Sequence, residues 1–360
     1  MRFRVGKLPQ GVLERLLREY STLDERVVVG PKVGEDCAVV DFGEKYLVVK
    51  TDPITFATED IAWYVVNINA NDVATMGARP RWFLCTALLP EGVGEEEVEA
   101  LFASLKDAAE ELGVSLCGGH TEITYGLERP ILVGQMLGEV EREKLVRSDG
   151  ARPGDVLLLT KGLAIEATAL LAREFPEKVR GAFGEEFLER CRNYLRDPGL
   201  SVVPEALAAC GAGRVHAMHD PTEGGVATGL RELAHASGVG MEVWEEGLFV
   251  SEETRAICGA FGVDPLGAIS SGALLIAVDP EDAPSVREAV SAMRIRCKEI
   301  GVVRESSFGV KLRREGRLLD LPEFGRDEVA KLFERGEARP FHEGRPMACG
   351  GGAQDMEPRM

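Results

Sequence analysis

A helix that carries a carboxylate inside its own apolar stripe constrains this chain more than any other feature. From about Thr58 to Gly77, residues Ile61, Val65, Ile68, Val73 and Met76 recur at helical spacing. Asp72, four residues after Ile68 and four before Met76, falls in the same stripe. Thr58, followed by Glu59 and Asp60, makes a helix start, and Gly77 makes a natural stop. Tyr64, Asn67, Asn71 and Thr75 form a second row beside the stripe. Each asparagine there costs roughly half a kcal/mol against alanine, so helix formation alone does not select them. A carboxylate at the rim of a core needs a cation or strong donors, because stranding it unpaired costs several kcal/mol. Two readings stay open at this point: an ion pair with Arg79 or Arg81, or a ligand site to which Asp72 contributes.

Upstream, Pro9 to Tyr20 reads as an amphipathic packing helix opened by proline, with Val12, Leu13, Leu16 and Leu17 on one face. Two strand-like runs follow, Cys37 to Val40 and Tyr46 to Lys50, joined by a turn-like Asp41 to Lys45, and they predict a hairpin. Gly34-Glu35-Asp36 enters the first strand and Thr51-Asp52-Pro53 leaves the second. In an antiparallel hairpin those ends lie side by side, so Asp36 and Asp52 are expected to face one another. Beyond the organising helix, Trp82 to Leu89 reads as a strand and Glu95 to Leu112 as an amphipathic helix. A short strand, Val114 to Cys117, then runs into Gly118-Gly119-His120-Thr121-Glu122. Paired glycines after a strand let backbone N–H groups approach a phosphate, and they also occur in plain turns; His120 and Glu122 add a donor and a metal ligand.

Ile131 to Val140 supplies a further strand, and the charged segment Glu141 to Arg152 reads as a boundary between halves, giving expected domains 1–148 and 149–338 with a tail over 339–360. The second half opens with Gly154-Asp155 and the strand Val156 to Thr160; Lys161-Gly162 then leads to a helix over Ala164 to Arg173, a junction suited to an anion. Asp220-Pro221-Thr222-Glu223-Gly224-Gly225 precedes a helix over Val226 to Ala236, an arrangement suited to a phosphate or to ordinary capping. His216 and His219 stand three apart without the carboxylate-flanked pattern of a zinc helix, so no zinc site is expected there. Leu274 to Val278 reads as a strand, and Asp282 to Met293 and Arg326 to Glu337 as helices. Neither a GxxxxGK[ST] loop nor a GxGxxG after a strand is present, which removes the P-loop and dinucleotide signatures.

The net charge of −18 over 360 residues excludes nonspecific attraction to nucleic acid or anionic lipid. An anionic substrate would bind through local cations, a metal or helix N-termini. The eight cysteines, Cys37, Cys85, Cys117, Cys191, Cys210, Cys258, Cys297 and Cys349, form no CxxC pair, as expected of thiols in a reducing cytoplasm. No apolar run approaches eighteen residues and Met1 to Lys7 leads into a polar helix, so neither a membrane span nor a secretion signal is expected.

Six ordered motifs carry a family resemblance: Gly34 to Val39, Lys50-Thr51-Asp52, Asn71 to Pro80, Gly118 to Glu122, Gly154-Asp155 and Asp220 to Gly225. From about residue 6 to 310 the chain resembles the superfamily of aminoimidazole ribonucleotide (AIR) synthetase (PurM), the hydrogenase-maturation protein HypE, selenophosphate synthetase and thiamine monophosphate kinase. Gly6-Lys7-Leu8-Pro9 and the Asp220 motif are most similar to the HypE-like, AIR synthase-related branch.

The resemblance implies an α/β (α+β) PurM-like two-domain fold. Its N-terminal domain would pair with a second copy into a dimeric β-barrel, and its C-terminal domain would be an α+β sandwich. It further implies a homodimer with ATP and Mg2+ as cofactors, the metal held by Asp36, Asp52 and Asp72. The nucleotide would be held by Lys50, Thr51, Asn71, Gly118, Gly119, Thr222, Gly224 and Gly225. Asp220 would face the cleft, with His120, and Glu122 behind it, as the acid–base candidate.

The implied activity is phosphorylation of an amide- or carbamoyl-type oxygen that drives dehydration or cyclisation, with a maturation protein as a possible partner. The alternatives are a non-catalytic ATP-binding maturation partner and a small-molecule kinase of the thiamine monophosphate kinase type. Three departures bear on these. HypE proper ends in a Pro-Arg-x-Cys-type tail, whereas here Arg345-Pro346-Met347-Ala348-Cys349 is followed by eleven residues, leaving Cys349 as a displaced carrier or an incidental thiol. The glycine-rich segment with catalytic cysteine of selenophosphate synthetase is missing. The kinase branch usually has Asp where His120 stands.

Overall fold

The computed structural model describes residues 8–22, 24–32, 35–55 and 59–334. Thr58, Gly34 and the tail that contains Cys349 lie outside the described residues.

In the first half, helix α1 (Gln10–Tyr20) leads to strands β1 (Val27–Val29), β2 (Ala38–Asp41) and β3 (Lys45–Ile54). Helix α2 (Ile61–Thr75), strand β4 (Arg79–Pro90), helix α3 (Glu95–Glu111) and strands β5 (Ser115–Thr124) and β6 (Ile131–Glu141) complete it. The strands form one open sheet in the order β1-β2-β3-β6-β4-β5. The expected hairpin is present, with Ala38 opposite Val49, but β3 continues to Ile54, so Lys50-Thr51-Asp52 lies within the strand. Strand β5 also outruns its expected end, and Gly118 to Glu122 are strand residues paired in parallel with β4. The ladder hydrogen bonds there outweigh the usual preference of paired glycines for turns.

The second half runs β7 (Val156–Thr160), α4 (Ile165–Glu174), α5 (Pro176–Phe183), α6 (Glu185–Arg192), α7 (Val203–Ala212), β8 (Val215–His219) and α8 (Gly225–Ser237). It continues through β9 (Gly240–Trp244), α9 (Glu252–Phe261), β10 (Leu275–Val278), α10 (Ala283–Ala292), β11 (Cys297–Arg304), β12 (Val310–Arg314) and β13 (Arg317–Asp320). The helix expected over Arg326 to Glu337 is short within the described residues, Ala330–Glu334. These seven strands form a second sheet, β13-β12-β9-β11-β7-β10-β8. Apolar side chains of its central strands alternate between its two faces. Leu158, Ile276 and Val278 face a core shared with the first half, whereas Leu157, Leu159, Leu275 and Ala277 face one built with α4, α8 and α9.

Helix α2 is the element between the sheets, touching β3, β6, β4, α3, α7 and β8. Every residue from Ile61 to Thr75 is buried, so the helix has no solvent face, unlike the one-sided stripe its sequence suggests. Two glycines of β6 explain how it sits so close: a Cβ on Gly134 would stand 2.3 Å from Nδ2 of Asn69, and one on Gly138 would stand 2.4 Å from Val73. The helix's asparagines become internal glue. Asn67 and Asn69 donate to the carbonyls of Trp63 and Val65 one turn back, at 2.9 and 2.8 Å. Asn71 donates to Leu200 O and accepts from Val202 N–H, both at 2.8 Å, which ties α2 to the second half.

Candidate active site

The carboxylate of Asp72 emerges from α2 beside β3, and its Oδ2 stands 3.2 Å from Nζ of Lys50. The ion pair considered with Arg79 or Arg81 is therefore made by Lys50; Arg81 instead meets Glu139 at 3.4 Å. Lys50 also lies 3.8 Å from Asp52, two residues along β3 on the same face. From the second half, β8 delivers His219 and Asp220 at its C-terminal end. His219 Nδ1 is 3.3 Å from Asp36 and its Nε2 is 3.1 Å from Glu232 on α8. Asp36, His219 and Asp220 offer ligand atoms that all lie within 4.8 Å of one another.

Electrostatics define what this cluster lacks. Burial raises the pKa of Asp72 to about 7, with Asp36 and Asp52 pushing the same way and Lys50 opposing. Burial, then Asp72 and Asp36, push Asp220 well above the usual carboxylate range. Burial disfavours the charged forms of Lys50 and His219, yet the carboxylates around them prevail and hold both pKa values well above the ordinary ones. Four aspartates and Glu232 thus face two cations, an excess of three negative charges when all are ionised, and Oδ2 of Asp220 is buried without a hydrogen-bond partner. A hard divalent cation fits both the charge deficit and the orphaned oxygen.

The structure gathers Asp36, Lys50, Asp52, Asp72 and Asp220 from the expected site residues, and it adds His219 and Glu232. The absence of a zinc spacing hid His219, although its position directly before Asp220 is a signal available in the sequence. Thr222, Gly224 and Gly225 form the turn that follows Asp220 into α8. Gly224 and Gly225 take positive φ, 82° and 64°, and a Cβ on Gly225 would stand 2.6 Å from two backbone carbonyls. Asp327 fixes this turn by accepting the Gly224 N–H at 2.8 Å.

Other expected residues are elsewhere. Asn71 spends its amide on Leu200 and Val202, and the Thr51 hydroxyl donates to Gly134 O at 2.8 Å. Lys161 is turned inward onto Glu205 at 2.9 Å and does not meet an anion at the α4 junction. Asp52, Gly134, Cys85 and Gly119 form one register row across four strands, which puts Gly119 about 14 Å from Asp52. Gly118, Gly119, His120 and Glu122 therefore do not join the cluster. Gly119 has a packing reason of its own, since a Cβ there would stand 2.0 Å from Cys85 O. His120 and Glu122 are exposed and contact each other at 3.2 Å.

Two family models match in the order of the two sheets: AIR synthase related protein, N-terminal domain, over residues 34–140, and AIR synthase related protein, C-terminal domain, over residues 152–312. The chain belongs to the AIR synthase-related family. A family relative, the putative hydrogenase expression/formation protein MJ0676 of Methanocaldococcus jannaschii, is 29% identical over 84% of this chain and 85% of its own. A carbamoyl dehydratase HypE of Azotobacter vinelandii is 29% identical over 80% of this chain and 81% of its own. Among solved AIR synthase-related structures, hydrogenase maturation protein HypE in complex with ATP superposes with a TM-score of 0.64 at 25% identity, covering 87% of this chain and 90% of that one. The HypE–HypF complex gives 0.69 at 23% identity, covering 86% and 99%. The PurM-like two-domain architecture of this family is the one described above. Among the described residues no helix is long and apolar enough to cross a membrane.

Proposed function

We propose that this protein is a Mg-ATP-dependent enzyme that phosphorylates an amide- or carbamoyl-type oxygen and so drives dehydration or cyclisation, within metallocofactor maturation. The observation that carries this reading is the closure of Asp36, Asp52 and Asp72 from the first half against Asp220 from the second, with an excess of negative charge that a bound cation would relieve. The relatives named carbamoyl dehydratase and the ATP complex of HypE support it.

Mg2+ would be held by Asp36, Asp52 and Asp72 and would neutralise the polyphosphate as its phosphoryl group transfers. Lys50 supplies a second positive charge beside Asp72 and Asp52. The glycine turn at the start of α8 lets a phosphate approach the positive end of that helix. Positioning and charge stabilisation are most of what phosphoryl transfer asks of a protein. As the carbamoyl oxygen bonds the γ-phosphorus, the bond from that phosphorus to ADP breaks and ADP leaves, and the nitrogen gives up one proton; loss of phosphate with the second N–H proton then leaves a nitrile.

In this reading domains 1–148 and 149–338 flank the cleft, and 339–360 is a tail that contains Cys349. The first sheet ends in β5, an exposed edge with Ile123 and Tyr125 open to solvent. A second copy paired along that edge would close the sheets into a barrel and bring Gly118 to Glu122 to a shared cleft, with His120 as proton acceptor. A maturation protein is the expected partner, as HypF is of HypE.

Incubation with Mg-ATP and a carbamoyl-donor system tests the reaction class. Phosphate release coupled to loss of water supports the reading. A stable phospho-product would replace it with a kinase, and bound but unturned ATP would replace it with a non-catalytic partner. Intact-mass analysis of the same mixture decides Cys349: an adduct on that thiol makes it the carrier, and none removes the role.

A further inference from the structure

A second cavity, of about 470 Å³, opens in the second half among the turn after β7, the segment before α9 and the loop before β11. None of the clustered aspartates lines it. Its lining includes the apolar Leu163, Ile165, Phe249 and Ile295 together with Arg294 and Arg296. The guanidinium of Arg296 lies over the Phe249 ring, 3.6 Å from its centroid.

Backbone bonds fix this pair in place. Lys161 N–H donates to Arg296 O at 2.8 Å, and Leu163 N–H donates to Phe249 O at 2.9 Å. Gly162 between them has φ of 147°, and a Cβ there would stand 2.8 Å from Phe249 O and 2.9 Å from its ring. The turn after β7 thus holds the Phe249 ring and the backbone of the arginine whose side chain stacks on it.

Acidic residues outnumber basic ones by 60 to 42, and arginines such as Arg190, Arg214, Arg287 and Arg304 sit in ion pairs. Arg294 and Arg296 make no ion pair among the described residues, even with Asp197, the one carboxylate on the lining. The polar groups deeper in the cavity are already committed: Tyr194 donates to Ser251 at 2.7 Å, Ser251 to Thr254 at 2.8 Å, and Lys161 is paired with Glu205. The two arginines, with Asp197 as the single opposing carboxylate, are the charged groups left to meet a ligand. A guanidinium is a planar fork for oxyanions, and stacked on a ring it presents a flat face.

We propose that this cavity binds a small oxyanion borne on a flat apolar body, a phosphate monoester or carboxylate of an aromatic ring. The oxyanion meets Arg294 and Arg296, and the ring lies against Phe249, Leu163 and Ile165. This site is independent of the proposed ATP chemistry.

Titration calorimetry of the full chain with phenyl phosphate and, separately, with benzoate tests it. Saturable binding of phenyl phosphate, of benzoate or of both is expected, and the arms distinguish which oxyanion is preferred. The Arg294→Glu/Arg296→Glu variant should weaken that binding at least about tenfold while leaving Mg-ATP binding unchanged, which also reports that it has folded. Arg296→Gln, a milder change, should weaken it in the same direction. Absence of binding by both probes, or affinity undiminished in these variants, overturns the proposal. Loss of Mg-ATP binding in Asp72→Asn with phenyl phosphate binding retained separates this site from the carboxylate cluster.

Discussion

Nζ of Lys50 on β3 stands 3.2 Å from Oδ2 of Asp72 on α2, so the only aspartate of the buried helix is met by a cation from the sheet beneath it. The same lysine reaches Asp52 at 3.8 Å. Its charge holds together a group of carboxylates that burial alone would drive apart or protonate.

Replacing Lys50 by methionine leaves Asp72 and Asp52 without their cation. The ligand-free protein is expected to lose about 3 kcal/mol of stability, as for a broken buried pair. Added Mg2+ should then raise the melting temperature more in Lys50→Met than in the wild type, because the ion replaces the missing charge. An equal shift in both proteins would mean that the metal does not meet this cluster.

Asn71 joins the two halves through both ends of its amide. Asn71→Ala strands the Leu200 carbonyl and the Val202 N–H in the interior, and should cost about 1–3 kcal/mol in denaturant unfolding. Mg-ATP affinity is expected to change little, since the amide is spent on backbone groups. A loss of nucleotide affinity without a loss of stability would place Asn71 against the nucleotide instead.

Glu166 at the start of α4 gives a pH signature. Burial raises its pKa from 4.5 to about 8, with Ser271 opposing and Glu223 and Asp327 adding to the rise. Between those two values the folded state keeps a proton that the unfolded chain has released. Stability therefore falls as pH rises from about 4.5 to about 8, and this contribution is flat outside that window. Glu166→Gln should flatten the fall and gain on the order of a few kcal/mol at the alkaline end. Parallel unfolding curves for the two proteins across that range would show that Glu166 ionises freely in the fold.

Much of the site is legible in the sequence because its carboxylates interrupt apolar patterns. Asp72 breaks a helical stripe, Asp36 and Asp52 sit where hairpin strands meet, and Asp220 precedes a glycine turn. What the pattern hides is tertiary. The complete burial of α2 depends on Gly134 and Gly138, two absent side chains on a strand sixty residues downstream. The same burial recruits Asn71 to hold the halves together. His219 joins the cluster through Asp36 and Glu232, a contact across 183 residues in one direction and 13 in the other. The extension of β5 through paired glycines follows from pairing with β4, where Gly119 lies too close to Cys85 for any side chain.

The most direct test of the carboxylate cluster is calorimetric titration of Mg-ATP into the wild type and Asp72→Asn, which keeps shape and burial but removes the charge. The account predicts clear Mg-ATP binding by the wild type, and affinity weakened at least about tenfold in a variant that is still fully folded. Equal Mg-ATP affinity in the two proteins would contradict it.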